Sequence, residues 1–250
     1  MFSELSAAER SDVLKNLVLL PRIDFQAEDI LAVIAEQDAN QVLDFLCARL
    51  YAPSALANHP AKDDWGSYEE LPFQLSALQE PMAKEPGTVV QKIFEWYRKS
   101  PTLFEFKGAK LLQIIFPQFS QPVQEALLRL MHEGGDVALE FTAGILRAYS
   151  GEAFLYGVAK ELIKRLVPGS SLLSTVAIAL QTTGVVTGEY GFAEAYERKR
   201  LEVLDWLHDS DERVRIFAND YISELERMRD LERARADEEI ALRKFEFGED

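Results

Sequence analysis

From residue 88 onward, short breakers cut the chain into helix-length pieces: Ser100-Pro101, Ser120, Gly134-Gly135-Asp136, Ser150-Gly151, Pro168-Gly169 and the run from Gly184 to Gly191. Between them apolar residues return every three or four positions, and no alternating run with hairpin chemistry interrupts the pattern. The candidate helices are 88–99, 110–119, 122–132, 137–149, 152–166, 171–181, 192–207 and 212 to about 244. Links this short make consecutive helices antiparallel neighbours. The expectation is an all-α chain of stacked helical hairpins ending in a long C-terminal helix.

The N-terminal part, 1–51, holds two further candidates at 7–19, stopped by Pro21, and 27–36. Asp38 then reads as an N-cap with Gln41 at the third helical position, a capping box that opens a helix to Tyr51. Residues 52–87 differ, because five of the ten prolines fall there: Pro53, Pro60, Pro72, Pro81 and Pro86. Such breakers leave no room for a helix of more than about two turns. Trp65, Tyr68, Leu71, Phe73, Leu75 and Leu78 are nevertheless too apolar for a solvated linker. The segment is expected to be an irregular insertion packed on the body, with a short helix near 74–80. The region 88–250 is expected to be the repeat region, and the whole one continuous domain.

The strongest local pattern runs from Leu204 to Ile222, with an acidic turn at Asp209-Ser210-Asp211. Asp209 is placed to cap the following helix, with Glu212 reaching back. Val214, Ala218, Tyr221, Leu225 and Met228 then form one apolar seam at alternating spacings of four and three. The residues Leu207, Asp209, Asp211, Val214, Arg215 and Ala218 resemble a HEAT-type repeat, in which an Asp-containing turn precedes a Val-Arg-x-x-Ala second helix. A looser echo at 111–127 places Pro117 inside a first helix, with Gln124 where the arginine stands. The resemblance implies an irregular HEAT-like (armadillo-type) α-solenoid of about five hairpins, whose long surface serves protein recognition.

Acidic residues number 42 against 27 basic, a formal charge of −15. Basic residues cluster only at Arg198-Lys199-Arg200 and between Arg227 and Arg235, interleaved with acids; even 189–250 holds 19 acidic and 11 basic residues. No nucleic acid is expected as a partner, because an acidic field repels phosphate, and the cationic groove of a HEAT-like DNA glycosylase is missing. No charge lies between Leu166 and Gly188, but Pro168-Gly169 and eight polar or glycine positions interrupt the stretch, leaving about 14 Å of clean helix where a bilayer needs about 30 Å. No membrane partner is expected; a helix buried on all sides by its neighbours is. The first residues lack a basic flank and an apolar core, so no secretory signal is read, and the cytoplasm is the expected location. The single cysteine, Cys47, sits in an apolar stripe and reads as a small core residue.

Chemistry-bearing patterns are sparse. The three histidines, His59, His132 and His208, form no His-Glu-x-x-His pair. HEAT-fold metal hydroxylases use several His-Glu pairs, and this chain has only His132-Glu133. Asp209 and Asp211 could open a calcium loop, but the later oxygen ligands and the central glycine are missing. Gly184, Gly188 and Gly191 follow no strand and lack a Gly-Lys-Ser/Thr step, and no Gly-x-Ser-x-Gly elbow occurs. No catalytic residue, cofactor or metal ligand is assigned.

Beyond Leu231 the last helix becomes charged, then brings back Ile240, Leu242, Phe245 and Phe247. Either this tail folds back on its own body, or it presents these four residues to a partner. The expected function is a noncatalytic scaffold or adaptor that binds another protein, one with a basic surface complementary to its own charge. Two other classes stay open: a regulatory subunit of a bacterial NTPase- or nuclease-containing complex such as phage defence, and an enzyme with an unrecognised carboxylate site.

Overall fold

A computed structural model describes residues 5–56, 68–151 and 154–247, with side chains for all of these except 53–56 and 247. Among the described residues every regular element is a helix. They are α1 (Ala7–Val18), α2 (Phe25–Ala35), α3 (Ala39–Leu56), α4 (Ser76–Ala83), α5 (Pro86–Lys99), α6 (Pro101–Ile115), α7 (Gln121–Glu133), α8 (Gly135–Ala148), α9 (Leu155–Ile163), α10 (Ser171–Gln181), α11 (Gly191–Glu202), a 3-10 helix (Leu204–His208) and α12 (Glu212–Phe247). The chain divides into two compact units, Met1–Ala148 and Tyr149–Asp250. The division falls at the end of α8, just ahead of the Ser150-Gly151 break, where Gly151 has φ 91. The expected divisions after residues 51 and 87 both lie inside the first unit.

In the first unit, helices pack with the next but one: α1 on α3, α3 on α5 and α5 on α7 form one row, and α2 on α4, α4 on α6 and α6 on α8 form the other. The rows meet where α2 touches α3, α4 and α6 touch α5, and α8 touches α5 and α7. Aromatic rings fill the seams: Tyr51 lies 5.3 Å from Trp96 and 5.4 Å from Phe104, and Phe141 lies 5.4 Å from Phe94 and 5.2 Å from Tyr97. Trp96 keeps its indole N–H satisfied by donating to Asp44 at 3.0 Å, with Lys92 paired to the same carboxylate at 3.1 Å.

Caps and prolines set the helix ends. Ser6 and Glu9 close a full capping box on α1. At α3, Asp38 accepts from the Gln41 backbone N–H at 3.3 Å, but the reciprocal half is unmade, because the Asp38 N–H already donates to Ile34 and the Gln41 amide oxygen is left without a partner. The helix then runs through Pro53 to Leu56, past the expected stop at Tyr51; one proline withdraws a single donor, and the turn continues. α6 begins at Pro101 rather than at 110, since proline at the first helical position starts a helix as readily as it ends one. It stops at Ile115, so Pro117 lies outside the helix where the HEAT-like echo placed it inside. Phe116, forced out of the helical region ahead of proline, is the reason (φ −118, ψ 87).

The insertion is ordered where described. Leu71, Leu75 and Leu78 are buried, Phe73 is exposed, and α4 accommodates Pro81. The expected packing of Trp65 lies outside the described residues. Cys47 is fully buried, and burial pushes its thiol far up, as suits a core residue.

The second unit is built on α12. α11 lies antiparallel beside it, and partners step in opposite directions along the two: Arg200 to Glu226 at 3.9 Å, Glu197 to Arg229 at 2.8 Å, Tyr190 to Asp237 at 2.6 Å. α9 and α10 pack on α12 as well, and the 3-10 helix fills the corner before it, although one continuous helix to residue 207 was expected. The expected seam is present: Val214, Ala218, Tyr221 and Leu225 are buried. α10 differs from the expected all-round burial. It buries Val176, Ala179 and Leu180 but exposes Ile178, and on another flank Leu173, Ser174 and Ala177 border an open groove.

Candidate functional site

The repeat-like motif is a turn that holds itself together. Asp211, not Asp209, caps α12: its carboxylate accepts from the Arg213 backbone N–H at 2.9 Å and pairs with the Arg213 guanidinium at 2.8 Å. That guanidinium holds the Asp211 carboxyl down to about 2. Asp209 accepts from the Asp211 N–H at 2.9 Å and pairs with Lys160 of α9 at 2.8 Å, which lowers its proton affinity. Lys160 also lies 5.3 Å from the Trp206 ring. Arg215 donates to the carbonyls of Asp209 at 2.8 Å and Ser210 at 3.0 Å. Val214 and Ala218 are fully buried, and Leu207 is half-buried. With the carboxylates of Asp209 and Asp211 thus engaged, the motif is architecture.

A second polar knot joins α9 to α11. Tyr156 donates to the Glu202 carboxylate, and Lys199 donates to Tyr156 at 3.2 Å. Burial pushes the phenols of Tyr156 and Tyr221 well up, so both stay protonated. Carboxylates with displaced proton affinity, such as Glu161, Glu197 and Glu224, are displaced downward by neighbouring cations, opposite to a general acid tuned towards neutrality. Among the described residues no group of three or more His, Cys, Asp and Glu side chains could hold a metal ion. His132 lies exposed at the end of α7, and His208 ends the 3-10 helix. No helix among the described residues is long and apolar enough to cross a membrane.

What the molecule does present is apolar surface. In the second unit a groove of about 470 Å³ runs between α10 and the first half of α12. Leu166, Leu173 and Ala177 form one wall, Ile216 and Phe217 the other, and Asp220 and Glu224 line the α12 rim. In the first unit a trough of about 300 Å³ lies along α6 and α8 beside Phe106, Lys110 and Gly144. Phe106 is exposed there, as are Phe25 at the start of α2 and Phe73 ahead of α4.

The four tail residues proposed for partner contact separate. α12 continues as a single helix, neither folding back nor hanging free. Tyr190 and Glu189 tie it through Asp237 and Arg243, and Ala236 is buried. Ile240 is half-buried, Leu242 and Phe245 are exposed, and the Phe247 side chain lies outside the described residues. Sequence reasoning passed over the groove, Phe106 and a buried arginine, Arg49. Only the exposed face of α12 was signalled, by Leu242 and Phe245. Comparison with protein-family models, curated proteins and solved structures finds no match.

Proposed function

We propose that the chain is a noncatalytic adaptor that binds another protein through an extended helical surface, built as an irregular HEAT-like stack of antiparallel hairpins. The observation that carries this reading is the row formed by α2, α4, α6 and α8, which with its lead-in segments displays Phe25, Phe73 and Phe106. Large exposed aromatics on a helical stack are the ordinary anchors of protein recognition. The odd-with-odd and even-with-even packing of the first unit and the Val214-Arg215-x-x-Ala218 turn in the second support the HEAT-like part. A charge of −15 favours a partner with basic residues around its apolar contact.

The test is copurification from cells that carry the chain natively, with wild type and Phe106→Asp as baits and recovery measured by mass spectrometry. Phe106 is exposed, so its replacement leaves the core intact, which circular dichroism checks. A protein held by wild type and depleted at least about tenfold, or about 1.4 kcal/mol, on the variant is the expected result. Equal recovery on both baits overturns the reading.

A further inference from the structure

The two walls of the groove in the second unit are helix ridges. Leu173, Ser174, Ala177 and Gln181 line it from α10, and Arg213, Ile216, Phe217, Asp220 and Glu224 line it from α12. Both sets keep the three- and four-residue spacing of a single helix face. The α12 ridge runs about 16 Å from Arg213 to Glu224, or three turns. Two such ridges with a gap between them accept the side chains of a third helix. An extended peptide fits less well, because its backbone N–H and C=O groups need a sheet edge and the described residues contain no strand. A helix satisfies its own backbone groups. The volume of about 470 Å³ lies within the ordinary range of binding clefts, about 300–1,000 Å³.

Charge decides which helix. No ionisable side chain lines the groove from the α10 side, since the chain carries no charge between Leu166 and Gly188. On the α12 edge Asp220 and Glu224 stand one turn apart, both exposed, at a spacing where like charges repel. Glu224 is relieved by Arg227 at 2.5 Å. Asp220 has no ion pair among the described residues. Arg213, at the other end of the ridge, is engaged by Asp211 at 2.8 Å. The groove is therefore apolar in its walls, negative along one edge and uncharged along the other. We propose that it binds a basic amphipathic helix of a partner protein, with the apolar face against Leu173, Ala177, Ile216 and Phe217 and a flank of Lys or Arg side chains along Asp220 and Glu224. This goes beyond the adaptor reading, which is built on the first unit, and either can fail without the other.

Three turns of helix make a small contact, so the complex belongs to the weak, transient class, with Kd on the order of 10 µM. A chain of −15 also attracts any polycation, so the test has to separate the groove from the overall field. At about 0.15 M salt the Debye length is about 8 Å, which leaves local pairs and screens distant ones.

The probe is a labelled, end-capped peptide of about 15 residues, with leucine on one face, lysine on its flanks and alanine between, titrated with the full chain by fluorescence anisotropy. One control carries glutamate in place of lysine, and the other keeps the lysine composition in a scrambled order that has no apolar face. The lysine helix should bind with Kd on the order of 10 µM, and both controls at least about tenfold more weakly. Ile216→Asp, at an exposed position, should weaken the lysine helix at least about tenfold. Asp220→Lys combined with Glu224→Lys should reverse the preference, so that the glutamate helix binds better than the lysine helix. Glu238→Lys combined with Glu246→Lys makes the same change in net charge at exposed positions about 20 Å or more further along α12, and should keep the affinity within about twofold. Circular dichroism checks that each variant folds. A lysine helix that stays unbound at about 300 µM chain overturns the proposal, as does a control peptide that binds equally well. Binding indifferent to Ile216→Asp, or weakened as much by the remote pair of reversals as by the groove pair, overturns it too.

Discussion

Replacing Arg49 with methionine tests whether α1 is held by a single buried cation. The Arg49 side chain is fully buried, and its guanidinium donates to main-chain carbonyls: Leu17 at 3.2 Å, Val18 at 3.1 Å, Leu20 at 2.9 Å, Glu70 at 3.0 Å and Glu69. Tyr68 covers it, with the ring 4.6 Å from Cζ and the hydroxyl donating to Val18 at 2.8 Å. Three of these carbonyls lie at or just past the C-terminal end of α1, where the helix dipole is negative and the backbone acceptors lack partners. Burial pulls the guanidinium's proton affinity down, while Tyr68 and Glu69 oppose it. A charged donor contributes about 1.5–3 kcal/mol per hydrogen bond. Burying the charge costs several kcal/mol and offsets roughly two thirds of that total, leaving a net of about 3–5 kcal/mol. Methionine keeps most of the volume, so a cavity adds little. The variant should lower the melting temperature by about 6–20 °C, and hydrogen exchange should show α1 amides losing protection before the rest of the first unit. Arg49→Lys, with one ammonium in place of the fork, should recover less than half. A methionine variant within about 1 kcal/mol of wild type in urea melts, with α1 still protected, refutes the reasoning.

Two further tests address the joints between helices. Glu197 accepts from Arg200 at 2.7 Å and Arg229 at 2.8 Å, and these cations hold its carboxyl down to about 2 from its ordinary value of 4.5. A depressed carboxylate stabilises above its unfolded value and loses that contribution as pH falls towards about 2. Glu197→Gln should therefore cost about 1 kcal/mol at neutral pH, after discounting for solvent screening, and the acid melts of variant and wild type should converge between pH 4.5 and about 2. At the α7–α8 corner, a Cβ on Gly134 would stand 2.6 Å from the Ala138 Cβ, whereas one on Gly135 would meet nothing within 4 Å. Gly134→Ala should cost about 1–3 kcal/mol through overpacking, and Gly135→Ala, at φ 62, about 1 kcal/mol through backbone strain alone; thermal melts that reverse this order refute the assignment of close approach.

Helix existence was legible because apolar periodicity is a local property, and α10 begins and ends as expected at Ser171 and Gln181. Helix ends were legible only where the punctuation had one meaning. Pro101 and Pro117 look alike in sequence, yet one starts α6 and the other stands clear of its end; neighbouring backbone angles decide between the two. The Ser6-x-x-Glu9 box was readable and was passed over, whereas Asp38-x-x-Gln41 looked complete and forms only half. At the candidate site the exposed Leu242 and Phe245 could be named from sequence, since the helix there has outlasted its inward seam. The groove could not be, because its walls come from α10 and α12, which meet only in the fold. Arg49 was hidden for a similar reason. Its hydrogen-bond partners lie 20 to 32 residues away, and all of them are peptide oxygens, which carry no side-chain signature.

Because every hydrogen bond described for Arg49 goes to the main chain, the anchor recognises a path of the backbone. Positions 17, 18, 20, 69 and 70 can therefore exchange their amino acids freely as far as this clasp is concerned, provided the peptide groups keep their places. All the intolerance is concentrated at one codon. A library randomised at residue 49 and at positions 17, 18 and 20 should return arginine alone at 49 and a wide choice of residues at the other three.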